Sequence, residues 1–356
     1  MSPRTNARVR VRATAIAVAI TSFAACQPDL ATTPGSPALR SASAARVSEP
    51  TTTVIIPPHF TTAPTAPFGE ATAINEDGVV AGWKGGPSIS DYSAFIWKEG
   101  VLTPLGSNFQ PVAINRAGDI AGNIGGNDAV LWRNGVLTPL VGSGGFATAY
   151  DMNDKDQIVG FGRPSVGTPS QAFLWDDGTF TMLGTLGGTF SVATSVNKHG
   201  QVVGYSEIAV GSTVTHAFLW ERGVTTDLGT LDGGSSKAFA INDQGEIVGL
   251  TDRVGMSPQP FIIRKGVMTP MLSNVPMVVF FTIEDISNAG HVVGSRAEFT
   301  NDPVAFVWRD GASMDLAGAL THAASVNASG EIAGYEEGGP VGFPGAYFWT
   351  VGRHGP

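Results

Sequence analysis

The chain has 356 residues, of which 42% are hydrophobic and 14% charged, with 46 Gly, 23 Pro, one Cys and a formal net charge of −9. A single cysteine excludes a disulfide-stapled scaffold, and the acidic balance excludes a basic nucleic-acid binder. Abundant turn formers, with no long runs of Ala, Glu, Lys and Leu, predict an all-β chain of short strands, long enough for a sizeable core.

The first 25 residues read as a signal peptide. Arg4, Arg8, Arg10 and Arg12 precede the apolar run ATAIAVAITSFAA (13–25), which is shorter than the ~20 residues a membrane-spanning helix needs. The end of this run, Phe23-Ala24-Ala25-Cys26, resembles the lipobox of bacterial lipoproteins, whose cysteine is acylated; Phe23 departs from the aliphatic residue usual there. The other reading is a plain cut near Ala25 with Cys26 incidental, and both readings export the mature chain. The expected location is the cell surface or outer membrane as a lipoprotein, otherwise secretion. Residues 26–52 hold Cys26 and a Ser-, Thr-, Ala- and Pro-rich stretch without apolar periodicity, read as a disordered tether. Losing the leader's four Arg takes the net charge to −13, which disfavours contact with phosphate backbones.

Residues 53–356 carry two alternating phrases. One reads ATAINEDGVVAGW (71–83), PVAINRAGDIAGN (111–123), AYDMNDKDQIVGF (149–161), ATSVNKHGQVVGY (193–205), AFAINDQGEIVGL (238–250), IEDISNAGHVVGS (283–295) and AASVNASGEIAGY (323–335). The other follows the pattern of AFLWDDGTF (172–180) and AFLWERGVT (217–225). The Asn position recurs at 75, 115, 153, 197, 242, 287 (as Ser) and 327, with a mean spacing of 42. Seven units of that period, each with four candidate strands and Gly-ended turns, predict a seven-bladed β-propeller of four-stranded antiparallel blades. The best unit gives strands at 192–196, 201–205, 216–220 and 224–229. The seventh unit ends one strand short, and the stretch at 53–60 has no partner of its own, so an N-terminal strand is expected to close the ring.

These phrases resemble the HAF-repeat family of extracellular bacterial proteins over residues 68–349, through His216-Ala217-Phe218, the Asn-x-x-Gly turns and the Ala-Phe-aliphatic-Trp slots. The resemblance implies export and a repeat architecture, and carries no biochemical activity. The fifth unit departs from the pattern, with Ile263 in the Trp slot.

Candidate sites are sparse. Trp97, Trp132, Trp175, Trp220, Trp308 and Trp349 could stack on sugars, but one per blade in mid-hairpin reads as packing between blades. Trp83 occurs once, beside a loop, and is taken as an exposed aromatic. DMNDKD (151–156) resembles half a calcium loop but lacks the Gly and Glu such a loop needs, so its Asn reads as a turn residue and no metal is expected. Asp151 and Asp285 break a slot filled elsewhere by Ala or Ser. They form a possible acid–base pair if the slot faces the central channel, against turn bonding or a wet channel wall. No hydrolase or phosphate-binding motif and no cofactor motif is present.

Antiparallel topology sends the first and third connections of each blade to one face and the long, variable second and fourth connections to the other. Loops on a rigid scaffold are where recognition concentrates. Trp83, Tyr92, Glu207, His216 and Asp302 are the loop candidates. The reading is a binding or scaffolding module, monomeric, with a protein or glycan partner, no cofactor, and membrane contact through a lipid only. The alternative is a hydrolase of an extracellular polymer acting through Asp151 and Asp285, and a purely structural surface role is a third possibility.

Overall fold

A short four-stranded unit cannot bury both faces alone, so the units stack around an axis. The computed structural model describes residues 50–56, 68–85, 93–106, 108–253, 256–272, 279–298, 302–317, 320–336 and 345–351. The described residues form twenty-eight strands in seven four-stranded antiparallel blades, with no helix. The fold is a seven-bladed β-propeller. Blade 4 is typical, with strands Ser191–Val196, Val202–Glu207, Thr215–Glu221 and Val224–Asp227 in that spatial order. First strands of successive blades touch one another all the way round, forming the inner wall. A single parallel bridge, Ala147 to Asp128, joins blades 2 and 3.

Closure follows the strand count. Thr51–Ile56 pairs antiparallel with Gly345–Thr350, setting Thr52 opposite Trp349, and completes blade 7. The strand starts inside the expected tether, two residues earlier than the sequence suggested; residues 57–60 lie outside the described residues.

The core is divided among the seven junctions between blades. The blade 4–5 junction packs Val203, Ala217, Ala238, Ile241, Ile247, Phe261 and Ile263 together. Ile263, in the Trp slot, is 3% exposed, so the fifth unit's departure is absorbed by packing. The six tryptophans of that slot all lie in or against junction clusters, as the packing reading requires.

The second-strand glycine lets the two inner strands approach. A Cβ on Gly204 would lie 1.9 Å from the Val192 carbonyl oxygen, and the equivalent Gly160 and Gly249 meet backbone oxygens at 1.9 and 2.0 Å. Opposite this glycine, every first strand carries a bulge, between Ala193 and Ser195 in blade 4. The third connections are two-residue turns such as Arg222-Gly223, with φ of 50° and 87°, whose twist matches that of the flanking strands.

Each turn asparagine serves its own turn and the next blade. The Asn197 side-chain oxygen accepts from the His199 and Gln201 amides at 3.0 and 3.1 Å, and its Nδ2 donates to the Asn242 carbonyl at 3.1 Å. The same Nδ2-to-next-blade bond runs from Asn75, Asn153 and Asn242, and from Asn327 back to Asn75. Blade 3 varies the theme. Asp156 occupies the glycine position with φ of 61°, and its carboxylate receives the Asn115 amide at 2.7 Å together with the Arg133 guanidinium. The half calcium loop of the sequence is therefore a strained turn used as a clamp between blades.

Candidate functional site

Asp151 and Asp285 sit on the first strands of blades 3 and 6, one residue past the bulge. Both are half-buried in the wall, and both bind the next blade in the same way. Asp151 Oδ2 accepts from Ser195 Oγ at 2.8 Å and the Val196 amide at 2.9 Å, and its Oδ1 from the Met152 amide at 2.7 Å. Asp285 Oδ2 accepts from Ser325 Oγ and the Val326 amide, each at 2.9 Å, and its Oδ1 from the Ile286 amide at 2.7 Å. Around the ring the slot reads Ala73, Ala113, Asp151, Ser195, Ala240, Asp285, Ser325, so each aspartate precedes a blade that offers serine. Each aspartate is thus built as a latch between blades, with both oxygens of its carboxylate engaged.

Burial pushes the Asp151 carboxyl up to about 7 against the three donors, and the charge of Asp285 adds to the rise. Burial also raises Asp285, again opposed by its donors, with Glu76 adding. A carboxyl whose folded pKa exceeds its unfolded value releases its proton on unfolding within that interval. For Asp151, stability therefore declines as pH rises from about 4 to about 7, by up to about 1.4 kcal/mol per unit. The thermal midpoint should fall across that window. The double variant Asp151→Ala/Ser195→Ala recreates the Ala73–Ala113 junction, and should fold with a flatter midpoint-versus-pH profile. An unchanged slope would contradict the assignment.

The loop candidates are mostly tied into the scaffold. Trp83 is 6% exposed, and its indole Nε1 donates to Glu70 Oε2 at 3.2 Å, which corrects its reading as an exposed aromatic. It follows the second-strand glycine, at the position that holds Phe161 and Tyr205 in blades 3 and 4. Glu207 ends a strand, and its Oε2 accepts from the Thr189 amide and hydroxyl at 3.0 and 3.1 Å. His216 lies within Thr215–Glu221, with Nδ1 2.9 Å from Asp227 Oδ2. Asp302 is exposed. Tyr92 and Cys26 lie outside the described residues.

Reading the sequence for isolated residues missed a feature that crosses from blade 3 to blade 4. Phe146, Phe161, Phe190 and Tyr205 form a row of half-buried rings with successive centroids 5.8, 5.4 and 6.2 Å apart. The Arg163 guanidinium lies over Phe146 at 5.3 Å, and Lys237 Nζ lies over Tyr205 at 4.8 Å. Phe146 opens the first strand of blade 3 opposite Arg163, and Phe190 directly precedes Ser191–Val196, so the row lies at the end of the blades that bears the long loops. Tyr150, the bulged residue of blade 3, lies near enough for Tyr205 to add to its rise to about 12, which burial mainly causes. The signal was present: the residue after the second-strand glycine varies as Trp83, Asn123, Phe161, Tyr205, Leu250, Ser295 and Tyr335, while the glycine itself does not.

No protein-family model matches the chain, and no curated protein matches it. Solved structures do. The chain is similar to an oligogalacturonate lyase solved in complex with manganese, at 13% identity and a TM-score of 0.59, covering 86% of this chain and 96% of that one. It is similar to the β-propeller domain of the Trilobed protease from Pyrococcus furiosus, at 14% identity and a TM-score of 0.55, covering 79% and 95%. That propeller has an open velcro topology, whereas here Thr51–Ile56 closes the ring. It is also similar to a puromycin-hydrolyzing peptidase of Mycobacterium tuberculosis, at 12% identity and a TM-score of 0.55, covering 79% and 51%. The chain thus spans about half the length of that peptidase. At these identities the likeness carries the propeller fold alone. Among the described residues no three His, Cys, Asp or Glu side chains converge as a metal site would.

Proposed function

We infer that the chain is an exported, lipid-anchored propeller of the HAF-repeat type that works as a binding or scaffolding module through its long-loop face. The observation that carries this reading is the division between the two faces. The Asn turns are near-identical and their asparagines are bonded from blade to blade, so the scaffold itself uses the side chain that recurs on that face. The opposite face holds connections of different length and composition above an aromatic rim. Export and anchoring are supported by the Arg-rich leader, its short apolar run and Cys26. Cys26→Ser should move the protein from the membrane fraction to the soluble one; a wild type that already fractionates as soluble would contradict the anchor. A glycan and protein-partner screen should return a binder that competes at the long loops.

The second reading is a hydrolase acting through Asp151 and Asp285. Two observations support it: the solved structures similar in fold include peptidases and a lyase by name, and Asp151 is poised near 7, where an acid or base works best. Against it stand the hydrogen bonds that commit both carboxylates to the next blade. Hydrolysis of an extracellular polymer that is lost in Asp151→Asn, with folding intact, would favour this reading over the first.

A further inference from the structure

We propose that the aromatic row of blades 3 and 4, with Lys237 of blade 5, is a binding site for an acidic oligosaccharide whose carboxylates are spaced by neutral sugars. The proposal rests on the long-loop face being the recognition face, and adds the ligand class. Partly exposed rings suit the apolar C–H faces of sugars, which they cover without a deep pocket. The two cations select charge. Arg133, Arg253, Arg264 and Arg296 each stand against a carboxylate, but Arg163 and Lys237 have no such partner among the described residues. Arg163 Nε is moreover a buried donor with no acceptor among them, a state that is unfavourable unless a ligand or water completes it. Glu207, the acid nearest along the chain to Tyr205, is already engaged by Thr189.

The separation of the cations sets the spacing. Arg163 and Lys237 stand at opposite ends of the four rings, so one ligand reaching both must be elongated, with its anionic groups apart. The overall charge of −9 points the same way, because a densely charged polyanion would be repelled while a sparsely charged one meets the local cations.

The test is calorimetric titration of the full chain with a hyaluronan oligosaccharide, in which carboxylated and neutral sugars alternate, alongside a neutral chito-oligosaccharide and an acidic peptide. The hyaluronan oligosaccharide should bind, and the other two should not. Arg163→Gln and Lys237→Gln should each weaken binding about tenfold, the loss expected for one charge-assisted hydrogen bond, while both variants still melt cooperatively as folded propellers. Equal binding of the neutral sugar, or preference for the peptide, would overturn the ligand class. Binding that ignores both substitutions but is blocked by changes in loop 164–170 or 208–214 would overturn the rim and leave the long-loop reading standing. Capture of any ligand at the Asn turns would overturn both.

Discussion

Deleting Thr51–Ile56 should cost the fold a large part of its stability, whereas deleting 27–49 should leave the thermal midpoint where it was. The strand contributes little apolar burial, since Thr51 to Val54 are exposed and Ile55 is half-buried. Its contribution is the ladder. Five residues pair with Gly345–Thr350, and at about 1 kcal/mol per hydrogen bond the direct loss is on the order of 3–5 kcal/mol against the ~5–15 kcal/mol of a typical domain. The indirect loss is as important. Without the strand, Gly345–Thr350 becomes an open edge that carries Ala346 and the fully buried Trp349, a template for pairing between molecules. The truncated protein should melt lower and aggregate on heating. Equal midpoints for the two deletions would remove the closure argument.

Gly204→Ala should be as damaging, though it adds one methyl group. That methyl would stand 1.9 Å from the Val192 carbonyl oxygen and 3.0 Å from the Ala193 Cα, both backbone atoms of the inner strand. No rotamer relieves a clash with backbone, so the hairpin must separate and lose contact with the junction behind it. A cost of about 3 kcal/mol or more is expected. Gly223→Ala is the control. Its φ is +87°, but a Cβ there meets nothing within 4 Å, so only the backbone penalty of about 1 kcal/mol applies. Similar midpoints for the two variants would show that strand approach does not depend on this glycine.

The fold was legible because the repeat states each element seven times. The Asn-x-x-Gly turns, the Trp slot and the missing last strand each have a local signature, and their spacing alone implies the ring. What periodicity could not convey was the pairing between units. Asn197 reads as a turn residue from its own neighbours; its bond to the Asn242 carbonyl exists only once two repeats are stacked. Asp151 looked like a break in a small-residue slot, and only the alignment of neighbouring blades reveals that Ser195 was waiting for it. Trp83 looked exposed because a loop follows it, yet it is buried and its indole is tied to Glu70. The aromatic row was hardest to see, since Phe146, Phe161, Phe190 and Tyr205 come from two repeats and the connection between them. Their contact depends on the bulge and twist that bring adjacent blades together.

The claim that the long-loop face is the recognition face is tested most directly by a hydrogen–deuterium exchange footprint of the full chain, with and without the strongest binder from the glycan and protein screen. The account predicts slowed exchange at 164–170, 185–190 and 208–214, with the Asn turns at 75–79, 153–157 and 197–201 unchanged. Protection confined to those turns, with the long loops exchanging as before, would contradict it.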